Sequence, residues 1–215
     1  MQVELSMIDE ELLFRIVFVS LYLVFAGVRF YYRGRTIGRE SEKDYGSVDA
    51  MGKSGLGLSA AILLYLAGTL VYVIIPDWIS WAHIELVPVV RFFGVGVAVL
   101  SIVLVAWIHR VLGRQYSAKH EIQKDHQLIT AGPYNMVRHP MYTTLNLFSI
   151  SMALVTSNLL LILFSILVVL PFPWIAMREE AMLTDQFGDE YRAYMRRTGR
   201  FFPPIRQREQ ESSLV

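Results

Sequence analysis

The apolar stretch from Met141 to Met177 constrains this chain more than any other feature, because it is far too long for a single crossing of a bilayer. A hydrocarbon core of about 30 Å takes roughly 20 apolar residues in a helix. The stretch is interrupted once, at Thr156-Ser157-Asn158, a polar turn signal. That position predicts a tight helical hairpin turning back at the far leaflet. Three further runs, at about 12–32, 55–76 and 87–110, are each long enough for one crossing. The expected fold is an all-α integral membrane protein with five transmembrane helices, the last two forming the hairpin.

Composition agrees with a chain whose solvent is lipid: of 215 residues, 54% are hydrophobic and only 18% are charged. Zero cysteines remove disulfides, thiolate metal sites and a cysteine nucleophile, and no metal site is read from the remaining residues. Twenty basic residues nearly cancel 19 acidic ones, leaving a net charge of +1 and no global field for nucleic acid. The first run follows Asp9-Glu10-Glu11 with no lysine or arginine before Arg15. It lacks the basic region of a cleaved signal peptide and is expected to stay in the mature protein.

Charge placement predicts the topology, since lysine and arginine in short loops mark the cytoplasm. Arg29, Arg33, Arg35, Arg39, Lys43 and Lys53 lie between the first two runs. The next connection, Asp77 to Pro88, has no basic residue and carries Trp78, Trp81 and His83, as an outer interfacial belt would. Gly113 to Pro140 is basic again through Arg114, Lys119, Lys124 and Arg138, and the tail after Met177 is arginine-rich. The N-terminus is expected outside, with the C-terminus and both appendages at the cytoplasmic face. Residues 1–112 then form three helices with a basic loop, 113–206 a catalytic region, and 207–215 a disordered tail.

The appendages hold the unusual residues. Gly132-Pro133 is a turn signal, and Pro140 suits the first position of a helix, where its missing N–H costs little. Arg138, His139 and Tyr142 would crowd that helix N-terminus, an arrangement that favours carboxylate or phosphate. Headgroup anchoring by the same residues is the plainer reading. Arg178-Glu179-Glu180 directly follows the hairpin, and acids at that depth are costly unless engaged. Glu180 is expected to pair with Arg138 or His139, because both ends of the hairpin emerge on one side. Small residues Gly55, Gly57, Ala60, Ala61 and Gly68 in the second run permit close helix approach.

The ordered series Gly132-Pro133-Tyr134, Arg138-His139-Pro140-Met141-Tyr142, Glu179-Glu180, Phe187-Gly188, Glu190-Tyr191, Tyr194, Arg200-Phe201 and Pro203 resembles the isoprenylcysteine carboxyl methyltransferase family, in a short prokaryotic form. The likeness covers roughly Lys119 to Pro204. It implies transfer of a methyl group from S-adenosylmethionine to the carboxylate of a C-terminal prenylated cysteine, giving a methyl ester and S-adenosylhomocysteine. It also implies a cofactor pocket lined by His126, Gln127, Leu128, Ile129, Tyr134, His139, Pro140, Met141, Tyr142 and Glu180, with Lys119, His120 and Gln123 as secondary candidates. Partners are then the lipid bilayer and a lipid-borne carboxylate.

The chemistry fits the residue types. A carboxylate with a reference pKa near about 3.5 is already ionised and needs no general base, so orientation dominates, supplying roughly 7–11 kcal/mol. Arg138 and Arg178 are the candidate carboxylate clamps, through the planar guanidinium fork, with Glu180 completing the catalytic set. Tyr134 and Tyr142 flank the pocket, while Arg192, Arg196, Arg197 and Arg200 are assigned to anionic headgroups. Membrane phospholipid N-methyltransferases share a similar arginine-histidine-proline element, and longer nicotinamide-dependent sterol reductases resemble the C-terminal pattern. A membrane scaffold without enzymatic activity is the remaining alternative.

Overall fold

A computed structural model describes residues 2–36, 53–118 and 128–204, with side chains for 10–32, 56–112 and 128–204. The fold is all-α, with no strand among the described residues. The long helices are α1 (Gln2–Thr36), α2 (Lys53–Ile74) and α3 (Pro88–Ala118). They are followed by α4 (Pro140–Thr156), α5 (Leu159–Val169), α6 (Phe172–Phe187) and the short α7 (Asp189–Arg197).

Among the described residues, four helical stretches are long and apolar enough to cross a membrane: Glu10–Tyr32, Leu56–Ile74, Pro88–Leu112 and Leu159–Phe187. The expectation of five meets a shorter partner in α4, whose 17 residues span about 26 Å at 1.5 Å per residue. The polar turn shortens it from one end and the Gly132–Pro140 segment from the other. Leu23, Phe30, Val89 and Phe93 are exposed on the helices, as surfaces facing hydrocarbon require.

The hairpin turn falls where the polar run predicts. Ser157 closes α4 in the left-handed region, at φ 48°. Asn158 caps α5 by accepting from the Leu160 and Leu161 amides at 3.1 and 3.4 Å. Its Nδ2 donates to the Ile79 carbonyl at 2.9 Å, and the Ile84 amide donates to the Ser157 carbonyl at 2.8 Å. The segment after α2, including the 3-10 helix Pro76–Ala82, thereby fastens the tip. Trp78 and Trp81 on that segment are exposed.

Aromatic packing forms the core between α1 and α4, with Phe25 stacked on Phe148 at 3.8 Å between centroids. At Gly94 of α3 a side chain would meet the Ser151 carbonyl at 2.9 Å, so only glycine lets α3 lie that close to α4. Of the small residues in α2, Gly68 meets the Phe164 ring in the same way, whereas Gly57 faces open space. Gly55 has no described side chain.

Arg91, 2% exposed in the first turn of α3, joins three helices. Its Nε and Nη2 donate to the Val155 carbonyl at 3.1 and 3.0 Å, its Nη1 donates to Glu11, and the guanidinium lies 3.8 Å over the Phe14 ring. The acidic leader is thus a structural partner, because a charge buried at that depth needs a counter-charge.

Past Val169 the regular helical pattern is interrupted at Leu170-Pro171, both still in the right-handed helical region, and resumes as α6, since proline at the junction has no amide for the helical ladder. Gly188, at φ +55°, turns the chain into α7. That helix carries Asp189 and Glu190 in its first turn and Arg196 and Arg197 in its last, which suits the helix dipole. Tyr191 and Tyr194 form its buried face.

Candidate functional site

The site is built where the start of α4, the end of α6 and the segment after α7 meet. Gly132, at φ +61°, opens the one-turn helix Gly132–Asn135, and a side chain there would press on Val111 of α3 at 2.8 Å. Glycine meets both demands. The Tyr194 hydroxyl donates to the Tyr134 carbonyl at 2.6 Å, fixing this turn to α7.

Residues 137–139 then run beside 199–201. The Arg138 amide donates to the Gly199 carbonyl at 2.8 Å and the His139 amide to the Arg200 carbonyl at 3.1 Å. Thr143 Oγ1 adds a bond to the Phe201 carbonyl at 2.9 Å. The chain after α7 is therefore a strap across the first residues of the hairpin. Pro140 occupies the first position of α4, as its sequence position predicts.

Glu180, 6% exposed, is the centre of the charge arrangement. Its Oε1 accepts from Arg138 Nε at 2.8 Å and lies 3.2 Å from His139 Nε2. Its Oε2 accepts from Arg200 Nη2 at 2.7 Å. Arg138 also donates through Nη1 to the Met195 carbonyl at 3.2 Å and to the Thr198 carbonyl. One carboxylate thus gathers the hairpin's start, α6 and the strap.

His139, 5% exposed, is stacked on Tyr142 at 5.4 Å and 10°, and Tyr142 packs on Phe172 at 4.9 Å. Burial pulls the His139 pKa down, but hydrogen bonding and the charges of Glu179 and Glu180 outweigh it and hold the value above that of an ordinary histidine. Burial raises Tyr134, with the Glu179 charge adding to it, and pushes Tyr194 up to about 12. Both phenols stay protonated. Glu179 Oε2 forms an ion pair with His139 Nδ1 at 3.3 Å, outside the geometry of a well-aligned hydrogen bond.

Of the residues selected from sequence, Arg138, His139, Tyr142 and Glu180 come together, with Tyr134 fixed to α7 nearby. Glu180 meets both Arg138 and His139. Met141 is in reach of α1, its Sδ 4.0 Å from Arg29 Nη1, and Pro140 is buried. Leu128 and Ile129 are half-buried on the approach to the Gly132 turn. Arg178 is exposed on α6. Lys119, His120, Gln123, His126 and Gln127 lie outside the described residues.

Arg200 needs correction: it pairs with Glu180 and is not held by headgroups, because the strap folds it back over α6. Arg192 does face outward, paired with Asp189 at 3.1 Å, and Arg197 lies over the Tyr194 ring at 5.7 Å. Sequence reasoning also missed Glu179 as a partner of His139. Its position beside Glu180 was the available signal. Among the described residues, no group of three histidine, aspartate or glutamate side chains could hold a metal ion.

The model of the phospholipid methyltransferase family matches residues 89–190, which includes α3, the Gly132 turn, the hairpin, Glu180 and the start of α7. The chain is also 27% identical over 123 residues to the nickel-cobalt-cadmium resistance protein NccN of Alcaligenes xylosoxydans xylosoxydans, covering 56% of this chain and 57% of that protein. It is 31% identical over 88 residues to the cobalt-zinc-cadmium resistance protein CzcN of Cupriavidus metallidurans, covering 39% of this chain and 38% of that protein. The chain therefore matches little more than half the length of one curated relative and less of the other.

Proposed function

From the match of the phospholipid methyltransferase family model to residues 89–190 we propose that the chain transfers a methyl group from S-adenosylmethionine to the polar end of a membrane lipid. The observation that carries this reading is the Glu180 centre. A buried carboxylate bound by Arg138, His139 and Arg200 holds a polar loop in one geometry at the end of an apolar hairpin. That is the rigid support that a methyl-transfer site needs, because positioning is the main source of rate in such a reaction.

The residues fit the cofactor. Glu179, half-buried beside His139, is a carboxylate suited to the cofactor's ammonium group, and the stacked His139 and Tyr142 rings offer an aromatic wall. S-adenosylmethionine supplies the electrophilic methyl group. Arg138 spends its Nε and Nη1 donors on Glu180, Met195 and Thr198, so its role is to position the loop. Arg178, exposed on α6, is the other candidate carboxylate clamp. The raised pKa of His139 favours its protonated form.

The acceptor proposed is the carboxylate of a prenylated C-terminal cysteine, because an ionised carboxylate needs no base. The amine of a phospholipid is the second reading, favoured by the family match. In either case α4 serves as a fifth, short crossing, the site faces the cytoplasm and the N-terminus lies outside.

Calorimetric titration of the detergent-purified protein with S-adenosylhomocysteine tests the cofactor, with a nicotinamide dinucleotide as control. Binding by the wild type, lost in Glu180→Ala and His139→Ala, supports the reading; a preference for the dinucleotide overturns it. Radiolabelled methyl transfer to membrane lipids then separates the acceptors. Label released by mild base marks an ester, and base-stable label marks an N-methyl group.

A further inference from the structure

The two limbs of the hairpin pair in a fixed register. Tyr142 of α4 packs on Phe172 of α6, and Ser165 of α5 donates through Oγ to the Ser149 carbonyl of α4 at 3.1 Å. Tyr142, Asn146 and Ser149 share one face of α4, at i, i+4 and i+7. Between Ser165 and Phe172 the facing limb presents Val168, buried and apolar. Asn146 therefore lies opposite Val168, one turn from Tyr142 and about 9 Å along α4 from Pro140 at 1.5 Å per residue.

The amide oxygen of Asn146 is buried and accepts no hydrogen bond from the described residues. Hydroxyls on the same helix are satisfied locally: Thr143, Ser151 and Thr156 each donate to a carbonyl of the preceding turn. An amide oxygen has no such route, because interior helical N–H groups are already spent on the backbone ladder, and the Val168 side chain offers no donor. An asparagine in a membrane helix ordinarily joins it to a neighbour. That role does not account for an oxygen left unbonded at a cost in free energy.

Asn146 as a whole is half-buried, and Ile150, one turn further, is exposed, so this edge of the hairpin opens toward the bilayer. One turn the other way, Tyr142 stacks on His139 of the Glu180 centre. A lipid lying along this edge with its polar end at the centre brings the atoms just below that end to Asn146.

We propose that Asn146 selects the methyl acceptor: its Oδ1 accepts a hydrogen bond from an N–H or O–H group that the lipid carries directly below its polar end. This deepens the methyl-transfer reading and rests on it. Lipids with an amide or a hydroxyl at that level satisfy the oxygen. Lipids with only ester carbonyls there meet it with further acceptors and leave it unbonded.

Native mass spectrometry of the full chain in detergent tests this with two pairs of probes. Ceramide phosphoethanolamine and phosphatidylethanolamine share a headgroup, and below it the first carries an amide N–H and a hydroxyl where the second carries esters. N-acetyl-S-farnesylcysteine and S-farnesyl-3-mercaptopropionate share a carboxylate and a prenyl chain and differ in the amide N–H. Wild type is expected to retain the donor-bearing member of at least one pair about three- to tenfold better, the worth of one hydrogen bond, and N146L to remove that preference. No preference in either pair overturns the proposal, and so does a preference that survives in N146L. N146L should melt no lower than wild type, because exchanging an unbonded polar group for an apolar one is neutral or stabilising. A lower melting temperature, or failure to fold, would mean that the protein itself uses the amide, and would also overturn the proposal. S-adenosylhomocysteine titration of the same wild-type protein reads the cofactor separately: binding without lipid preference removes this inference alone, and no binding removes the methyl-transfer reading.

Discussion

Arg138 donates to Glu180 at 2.8 Å across 42 positions of sequence, and the same guanidinium reaches the Met195 and Thr198 carbonyls. The guanidinium joins the start of α4 to α6 and to the end of α7. Removing one member of such a group leaves the others as uncompensated buried charge, which costs more than the pair itself contributes.

Glu180→Gln should therefore destabilise the protein by about 3–5 kcal/mol and lower S-adenosylhomocysteine binding with it. Thermal unfolding in detergent at one fixed scan rate, alongside calorimetry, reads both. A variant as stable as the wild type would show that the arginines find other partners.

The His139 pKa is raised in the folded protein, which fixes the sign of its linkage to stability. Its contribution is fully present below about 6.5, the ordinary histidine value, and is lost as pH rises through the higher folded value. The stability difference between wild type and His139→Gln should be largest in mild acid and shrink above neutrality. A pH series of melting curves measures it, and a difference that grows with pH would contradict the assigned shift.

Gly199 leaves no room for a side chain, since a Cβ there would collide with the Phe202 carbonyl. Gly199→Ala should displace the strap at a cost of roughly 1–3 kcal/mol, the range for overpacking. Hydrogen exchange at the Arg138 and His139 amides, which donate to the strap, should accelerate in this variant. Unchanged protection would mean that the strap absorbs the extra carbon.

Asn158→Ala removes the cap of α5 and the bond to Ile79 together. A loss of about 1–2 kcal/mol is expected from the cap, with more from the orphaned Ile79 carbonyl. Asn158→Asp keeps the capping acceptor and loses the donor, so comparing the two melting temperatures apportions the effect.

Much of this architecture is legible in the residues themselves. Apolar run length places the four long helices, and Thr156-Ser157-Asn158 places the hairpin turn, because each signal is local. Pro140 marks the start of α4 for the same reason. Long-range partners left no local trace: nothing near Glu10 and Glu11 in sequence points to Arg91, which the fold places beside them. Arg200 read as one more arginine of a basic tail, because nothing nearby in sequence shows that the strap doubles back onto Glu180. Pro171 interrupts the helical hydrogen-bond ladder after α5, yet within an uninterrupted apolar run its effect was hidden.

The fastening of the hairpin tip limits how the bundle moves. With Asn158 bonded to Ile79 and Ile84 to Ser157, α4 and α5 cannot slide lengthwise past the end of α2 without breaking those bonds. Motion that parts the helices beside Glu180 must pivot at the opposite end, as the arms of a pair of tongs do. Small rotations at the tip then become the widest openings at the end where a lipid would have to enter and leave.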